Sequence, residues 1–358
     1  MTEYSEKDVN FALDAIQNSE VRESEKFRAW IAEEENKKLF IDLMAQKEAI
    51  MRERHLRNLR FKKRAKIISF AATVAAILTF AVFIPDFFRQ TPPQNINKEI
   101  HFFTANTNIN EVILEVEEKT PEVIKDSFMV INTPAKKSAT EEKKVEYQTI
   151  TTPRGKDFHL TLSDGTKVWI NTESSLKFPN IFTGNERRVI LRGEAYFDVS
   201  PNKKCPFIVC TEGLETVVLG TKFNVYSYNK EQRNITLVEG KVKVNNTISN
   251  ESTLLNPGQN ISYDQTEKST VESVNTAVYT AWTEGMFYFE DKPLKEIMST
   301  LGRWYNVDIF FENEDLYNIK FNFWASRNTN IGEAISLLND LGKVNISMDN
   351  NRITINKK

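Results

Sequence analysis

The sequence predicts a multidomain chain: a small all-α module, one transmembrane helix, an all-β domain of stacked short strands, and a C-terminal α+β domain. Three observations predict it. The eighteen residues from Ile67 to Ile84 carry no charge. From Tyr147 to about Thr270 the apolar period is two. Beyond Met286, strand-like runs alternate with two helical patterns.

Residues 1–66 read as the helical module. In FRAWIAEEENKKLFIDLM the apolar Phe27, Trp30, Ile31, Leu39, Phe40 and Leu43 recur at helical spacing, opposite Glu33–Glu35 and Lys37–Lys38. So large an aromatic stripe on so small a module serves as its core, as a surface for a partner, or as both.

The 358 residues carry a net charge of -2, with 47 Lys+Arg against 49 Asp+Glu, so nothing global points to nucleic acid. The charge is unevenly placed. Residues 1–50 hold 12 acidic and 7 basic side chains, whereas 51–66 hold eight Lys/Arg and one Glu. The uncharged run that follows would span ~27 Å as a helix, close to a bilayer's hydrocarbon thickness. Residues 67–85 are therefore expected to be a transmembrane helix, too far from the N-terminus for a removable signal peptide. The basic run places residues 1–66 in the cytoplasm by the positive-inside rule, and the rest across the membrane.

Residues 86–146, with Pro92, Pro93, Pro121 and Pro134, read as a spacer with one strand at EVILEVEE. From 147 to 270 the runs KVWIN, RVILRG, AYFDV, PFIV, TVVLG, FNVYSY and KVKV are separated by turn residues. Val168–Trp169–Ile170 and Val189–Ile190–Leu191 are apolar at consecutive positions, which implies that both faces are covered. Residues 286–358 follow the order β-α-β-β-α-β-β, with Leu294, Ile297, Met298, Leu301 and Trp304 on one helical face and Ile331, Ala334, Ile335, Leu338 and Leu341 on the other.

The stretch LSDGTKVWIN places Asp164 near Trp169 and Asn171, a combination that could serve a sugar-cleaving site. Asp-Gly between alternating apolar runs is instead a hairpin signal. Asp164 and Gly165 become the two loop residues, Ser163 faces Thr166, and Trp169 lies across from Leu160. Glu194 and Asp198 show no partner at a spacing that implies acid/base work. No nucleophile elbow, phosphate loop or metal motif occurs, and no cofactor is expected. Cys205 and Cys210, five apart in CPFIVC, point to opposite faces of a strand and read as two small apolar side chains.

The string TPRG, LSDGTKVWIN, SSLKFP, RVILRGEAYFDV, PFIV, LGTKFNVYSY, LVEGKVKV and LNPGQ resembles FecR-type anti-sigma regulators in order and spacing. The tail from Met286 is similar to the C-terminal domain of Bacteroidota members, a fold like secretin/TonB short N-terminal domains. The pattern Phe27, Trp30, Ile31, Asn36, Phe40 is similar to the family's sigma-binding end, which makes Phe27, Trp30, Ile31, Phe40 and Leu43 the expected sigma-binding residues. The long spacer and the two cysteines depart from the pattern.

The resemblance implies a single-pass inner-membrane protein with a cytoplasmic N-terminus and a periplasmic C-terminus. Its implied partners are an extracytoplasmic-function sigma factor and the signalling domain of a TonB-dependent outer-membrane transporter. Envelope proteases would supply the output step. Some members split at a Gly-Thr bond, which makes Gly220–Thr221 a site of possible self-cleavage; the alternative is a tight bend. Two rival readings are an envelope glycan-binding tether and a membrane-stalked hydrolase.

Overall fold

In the N-terminal unit, residues 1–97, helix α1 (Glu25–Ile31) sets Phe27 and Trp30 three residues apart and so on one face. Phe27 is buried, its ring 5.9 Å from Trp30, 5.2 Å from Phe40 and 6.3 Å from Phe11. The structure, a computed structural model, describes residue 11, residues 25–33, 36, 40, 99–106, 111–117, 119–131 and 145–358. Leu43 and the expected membrane span at 67–85 lie outside the described residues.

The expected fold class needs correction. The described molecule is mostly β, it shows no all-α module, and no helix among the described residues is long and apolar enough to cross a membrane. The physical reason is that a charge-free run reports transfer free energy and amphipathic spacing reports a face; neither fixes backbone geometry. Helix α1 spans only seven residues, well below the length at which a helix holds itself.

Residues 98–358 form the second unit. Its first four strands come from the expected spacer: β1 (Ile100–Phe103), β2 (Val112–Val116), β3 (Glu122–Ile124) and β4 (Phe128–Val130). Then follow β5 (Tyr147–Thr152), β6 (Phe158–Thr161), β7 (Lys167–Ile170), β8 (Ser174–Pro179) and β9 (Arg187–Asp198). Next are β10 (Phe207–Thr211), β11 (Leu214–Val218), β12 (Lys222–Asn229) and β13 (Gln232–Glu239). The region closes with β14 (Val242–Asn246), β15 (Ser252–Leu255), β16 (Gln259–Tyr263) and β17 (Ser269–Ser273).

Strand β9 organises this region. Its first half lies between β8 and parallel β10; its second half lies between β7 and β12. One sheet therefore runs β3-β2-β5-β8-β9-β10-β11-β14-β15 and the other β4-β6-β7-β9-β12-β13-β16-β17. RVILRG and AYFDV, expected as two strands, are one. At the bend Gly193 has φ +97°, and a Cβ there would lie 2.2 Å from the Ser174 hydroxyl, so only glycine lets the strand pass.

Alternate residues of both sheets (Ile150, Leu176, Val189 and Phe207 in one, Phe158, Val168, Phe223 and Ile235 in the other) close a single core. The consecutive apolar triplets are not covered on both faces, however. Ile190 is half exposed, and Trp169 stands outward in a ladder with His159 and Tyr196 at 5.6 and 5.5 Å. Cross-strand aromatic pairing, rather than burial, accounts for Trp169.

The C-terminal layer is entered through a short helix α2 (Ala277–Thr280) and a 3-10 turn, Ala281–Glu284. It contains β18 (Met286–Pro293), α3 (Leu294–Tyr305), β19 (Asp308–Phe311), β20 (Lys320–Ser326), α4 (Ile331–Asp340), β21 (Val344–Asp349) and β22 (Arg352–Lys357). Leu294, Ile297, Met298 and Leu301 are wholly buried from one face of α3; burying such side chains stabilises by about 1.5–3 kcal/mol each. The sheet of this layer runs β1-β19-β22-β21, so a strand from the expected spacer completes it.

Candidate functional site

The hairpin at LSDGTKV differs by one residue from the expected register. Leu160 pairs with Val168 and His159 with Trp169, and the Leu162 N–H donates to the Thr166 carbonyl at 2.9 Å. The loop is therefore Ser163–Asp164–Gly165, and positive φ falls on Gly165 alone of the three. Asp164 Oδ1 accepts from the Thr166 N–H at 3.0 Å, and its Oδ2 accepts from the Thr166 hydroxyl at 2.7 Å and from Arg187 at 2.6 Å. Arg187 is itself almost fully buried, so Asp164 neutralises a charge in the sandwich wall.

The densest functional cluster lies where the sandwich meets the C-terminal layer. Glu194, next to the bend in β9, is half-buried; Asn171 Nδ2 donates to one of its oxygens at 2.6 Å and Asn224 Nδ2 to the other at 2.9 Å. Asn224 Oδ1 accepts from the indole of Trp282 at 3.2 Å. Asn171 Oδ1 accepts from Arg327 Nη1 at 2.9 Å. One chain of hydrogen bonds thus runs from Trp282 through Asn224, Glu194 and Asn171 to Arg327, tying β7, β9 and β12 to the C-terminal layer.

Arg327, just beyond β20, is buried. Its guanidinium lies 4.4 Å from the Trp304 ring and 5.4 Å from Phe287, and pairs with Asp157 at 3.7 Å. A planar cation between aromatic faces suits arginine and no other side chain. Arg303 makes a second seam, 3.3 Å from Glu173 and 4.2 Å from the Tyr228 ring. Arg154 approaches the same Glu173 at 2.6 Å.

Burial pushes the Glu194 carboxyl above its ordinary value, against the opposing pull of the Asn224 and Asn171 amides and of Arg327 and Arg303. Burial likewise lowers Arg327, opposed by Glu194 and Asp157. A cavity of about 310 Å³ opens beside the network, lined by Glu194, Tyr226, Asn234, Trp282, Phe287 and Arg327 among others. The arrangement is built to hold two layers in a fixed relation. Among the described residues no group of His, Cys, Asp or Glu could hold a metal ion.

Sequence reasoning missed this network. The partners of Glu194 are two amides rather than a second acid or base, and they stand 23 and 30 residues away, where no local spacing reveals them. The one available signal was an asparagine ending one strand run and another inside FNVYSY, where β-propensity disfavours the residue.

Of the other expected site residues, Phe27, Trp30 and Phe40 come together in one aromatic cluster. Phe27 is buried, while Trp30, Ile31 and Phe40 are half-buried around it. Gly220 has φ +149°, and a Cβ there would meet Pro201 Cα at 2.7 Å. The Thr221 hydroxyl donates to the Lys241 carbonyl at 3.0 Å, and the Val199 N–H donates to the Thr221 carbonyl. Cys205 and Cys210 are unpaired and half-buried; Cys210 lies 2.9 Å from Arg188, and burial raises its thiol.

Residues 98–358 are thus a β-sandwich locked to a small α+β layer by a buried polar network. Residues 148–243 match the FecR protein family, and residues 286–355 match the family described as FecR, C-terminal. These two stretches carry the domains of FecR-type regulators, as the motifs indicated. Two crystal structures of a candidate anti-sigma factor from Parabacteroides distasonis ATCC 8503, at 1.65 and 2.50 Å resolution, are similar to it. Each is 26% identical, with a TM-score of 0.55, over 59% of this chain and 99% of theirs. No curated protein matches the chain.

Proposed function

We propose that this protein is an anti-sigma factor that carries a signal from the cell envelope to transcription. The observation that carries this reading is the order of its two matches, FecR at 148–243 followed by FecR C-terminal at 286–355, in a chain similar to a candidate anti-sigma factor along nearly all of that protein's length. The N-terminal aromatic cluster of Phe11, Phe27, Trp30 and Phe40 supplies a surface for an extracytoplasmic-function sigma factor. Placement at the inner membrane, N-terminus inward, is supported by the eight basic residues before the uncharged run.

In this reading the C-terminal layer receives the signalling domain of a TonB-dependent transporter, and envelope proteases execute the response. The supporting physical argument is that its sheet presents strand edges, the feature by which small α+β domains take partners. The test is affinity capture of the full-length chain from its own cells, followed by identification of what it retains. A sigma factor is expected in stoichiometric amount; its absence, with the chain intact, sinks the proposal.

A further inference from the structure

We infer that β1 is an exchangeable strand, and that the edge of β19 it covers is where a β-strand of a partner protein docks. This deepens the receiver role proposed for the C-terminal layer and rests on it. The sheet has two edges. On the β21 edge, the backbone N–H and carbonyl of Ile346 are already bonded to the Asn339 side chain at 2.7 and 2.8 Å. At its middle that edge is capped against strand addition. The β19 edge is occupied only by β1 among the described residues.

The occupant is weakly built. It has four residues, pairs as Ile100 with Phe311, His101 with Phe310 and Phe103 with Ile309, and slips register between His101 and Phe103. Its side chains are exposed or half-buried. Phe102 leans on Phe311 and Tyr317 at 5.1 and 5.3 Å; His101 stacks on Phe310 at 4.5 Å. The flanking ties are polar: Glu99 to Arg352 and paired amides at Asn106 and Asn306 at the surface, and the half-buried Ala105 N–H to Asp308, while the Phe103 ring packs against Gly302 with Arg154 4.5 Å above it. β1 also reaches its site from 203 residues away in sequence, as the Ala105–Asp308 bond measures. It is held like a separate peptide at the effective concentration of its tether.

Departure of β1 would leave the β19 backbone open along one side, a template for any extended segment. The fitting partner is an antiparallel strand with a large apolar or aromatic residue where Phe102 sits. Its binding frees residues 99–106.

Hydrogen exchange on the full chain in detergent tests the first step. Amides of β1 are expected to exchange at least ~100-fold faster than those paired between β21 and β22, through local opening. Equal rates would make β1 an integral strand and overturn the proposal. The second step uses a fluorescent peptide EIHFFTAN, residues 99–106, as the probe. Phe102→Ala should bind it at least ~10-fold more tightly than the wild-type chain, whose own strand competes. A chain with His101→Cys and Phe310→Cys, oxidised in a Cys205→Ser/Cys210→Ser background, should not bind it. Peptide binding that ignores the bridge, or is no tighter to Phe102→Ala, refutes exchange. Neither readout involves a sigma factor, so failure here and failure of the anti-sigma reading are separable.

Discussion

At Glu194 two physical effects oppose each other. Two amides and two arginines favour the anion, while burial disfavours it, and burial is the larger effect. A carboxyl whose folded value is raised holds its proton longer in the folded chain than in the unfolded one. Its contribution to stability is then complete at low pH and is lost as pH rises from the unfolded value toward the folded one. Glu194→Gln, which cannot ionise, should match the wild type in thermal unfolding below about pH 4 and exceed it at pH 7. Every tenfold difference in proton affinity between the folded and the unfolded carboxyl is worth about 1.4 kcal/mol. A glutamine variant less stable at pH 7 would mean the amides and Arg327 outweigh burial. Gly220–Thr221 presents a simpler balance. The Thr221 hydroxyl is engaged by Lys241, and Pro201 crowds the glycine, a geometry that suits a bend. Immunoblots of both ends of the full chain are expected to show one band, and Gly220→Ala to cost about 1–3 kcal/mol. Two fragments meeting at this bond, lost in Thr221→Ala, would instead establish self-cleavage.

Among elements, α3 was the most legible in sequence, because Leu294, Ile297, Met298 and Leu301 state the helical period and all four are wholly buried. The β period of two was equally plain along β12 and β14. Two kinds of information were not available. A glycine between two apolar runs reads as a turn, so β9 appeared as two strands; only the Ser174 contact shows that Gly193 passes through. In the proline-bearing stretch β2 was legible within EVILEVEE, but β1, β3 and β4 were not, because pairing with other strands stabilises them rather than propensity. The junction site was the least legible part, since Arg327 follows an alternating strand as any surface arginine would. Its role is testable. Arg327→Lys keeps the charge but loses the planar stack on Trp304, and should lower stability by about 2–4 kcal/mol in denaturant unfolding. At α1, Trp30→Ala should weaken capture of the sigma factor ~30-fold or more while circular dichroism stays unchanged. Unchanged capture would leave Trp30 a packing residue of the four-ring cluster.

At the scale of residues 98–358, the sandwich and the C-terminal layer depend on each other. Removing residues 286–358 would strip β1 of its sheet and take Arg327 away from the Asn171 side-chain carbonyl. Such a chain is expected to be degraded in cells rather than merely unresponsive, which pulse-chase immunoblotting would reveal; a long-lived truncated protein would contradict this. The distance in sequence between β1 and β19 also sets an order of events during synthesis. Phe102 and Phe103 emerge from the ribosome long before the strand that shelters them exists. Until β19 is made and β22 has docked beside it, the two aromatic rings remain open to chaperones and proteases. Each nascent chain is therefore marked as unfinished near its start, and the mark disappears only when its last strand is in place.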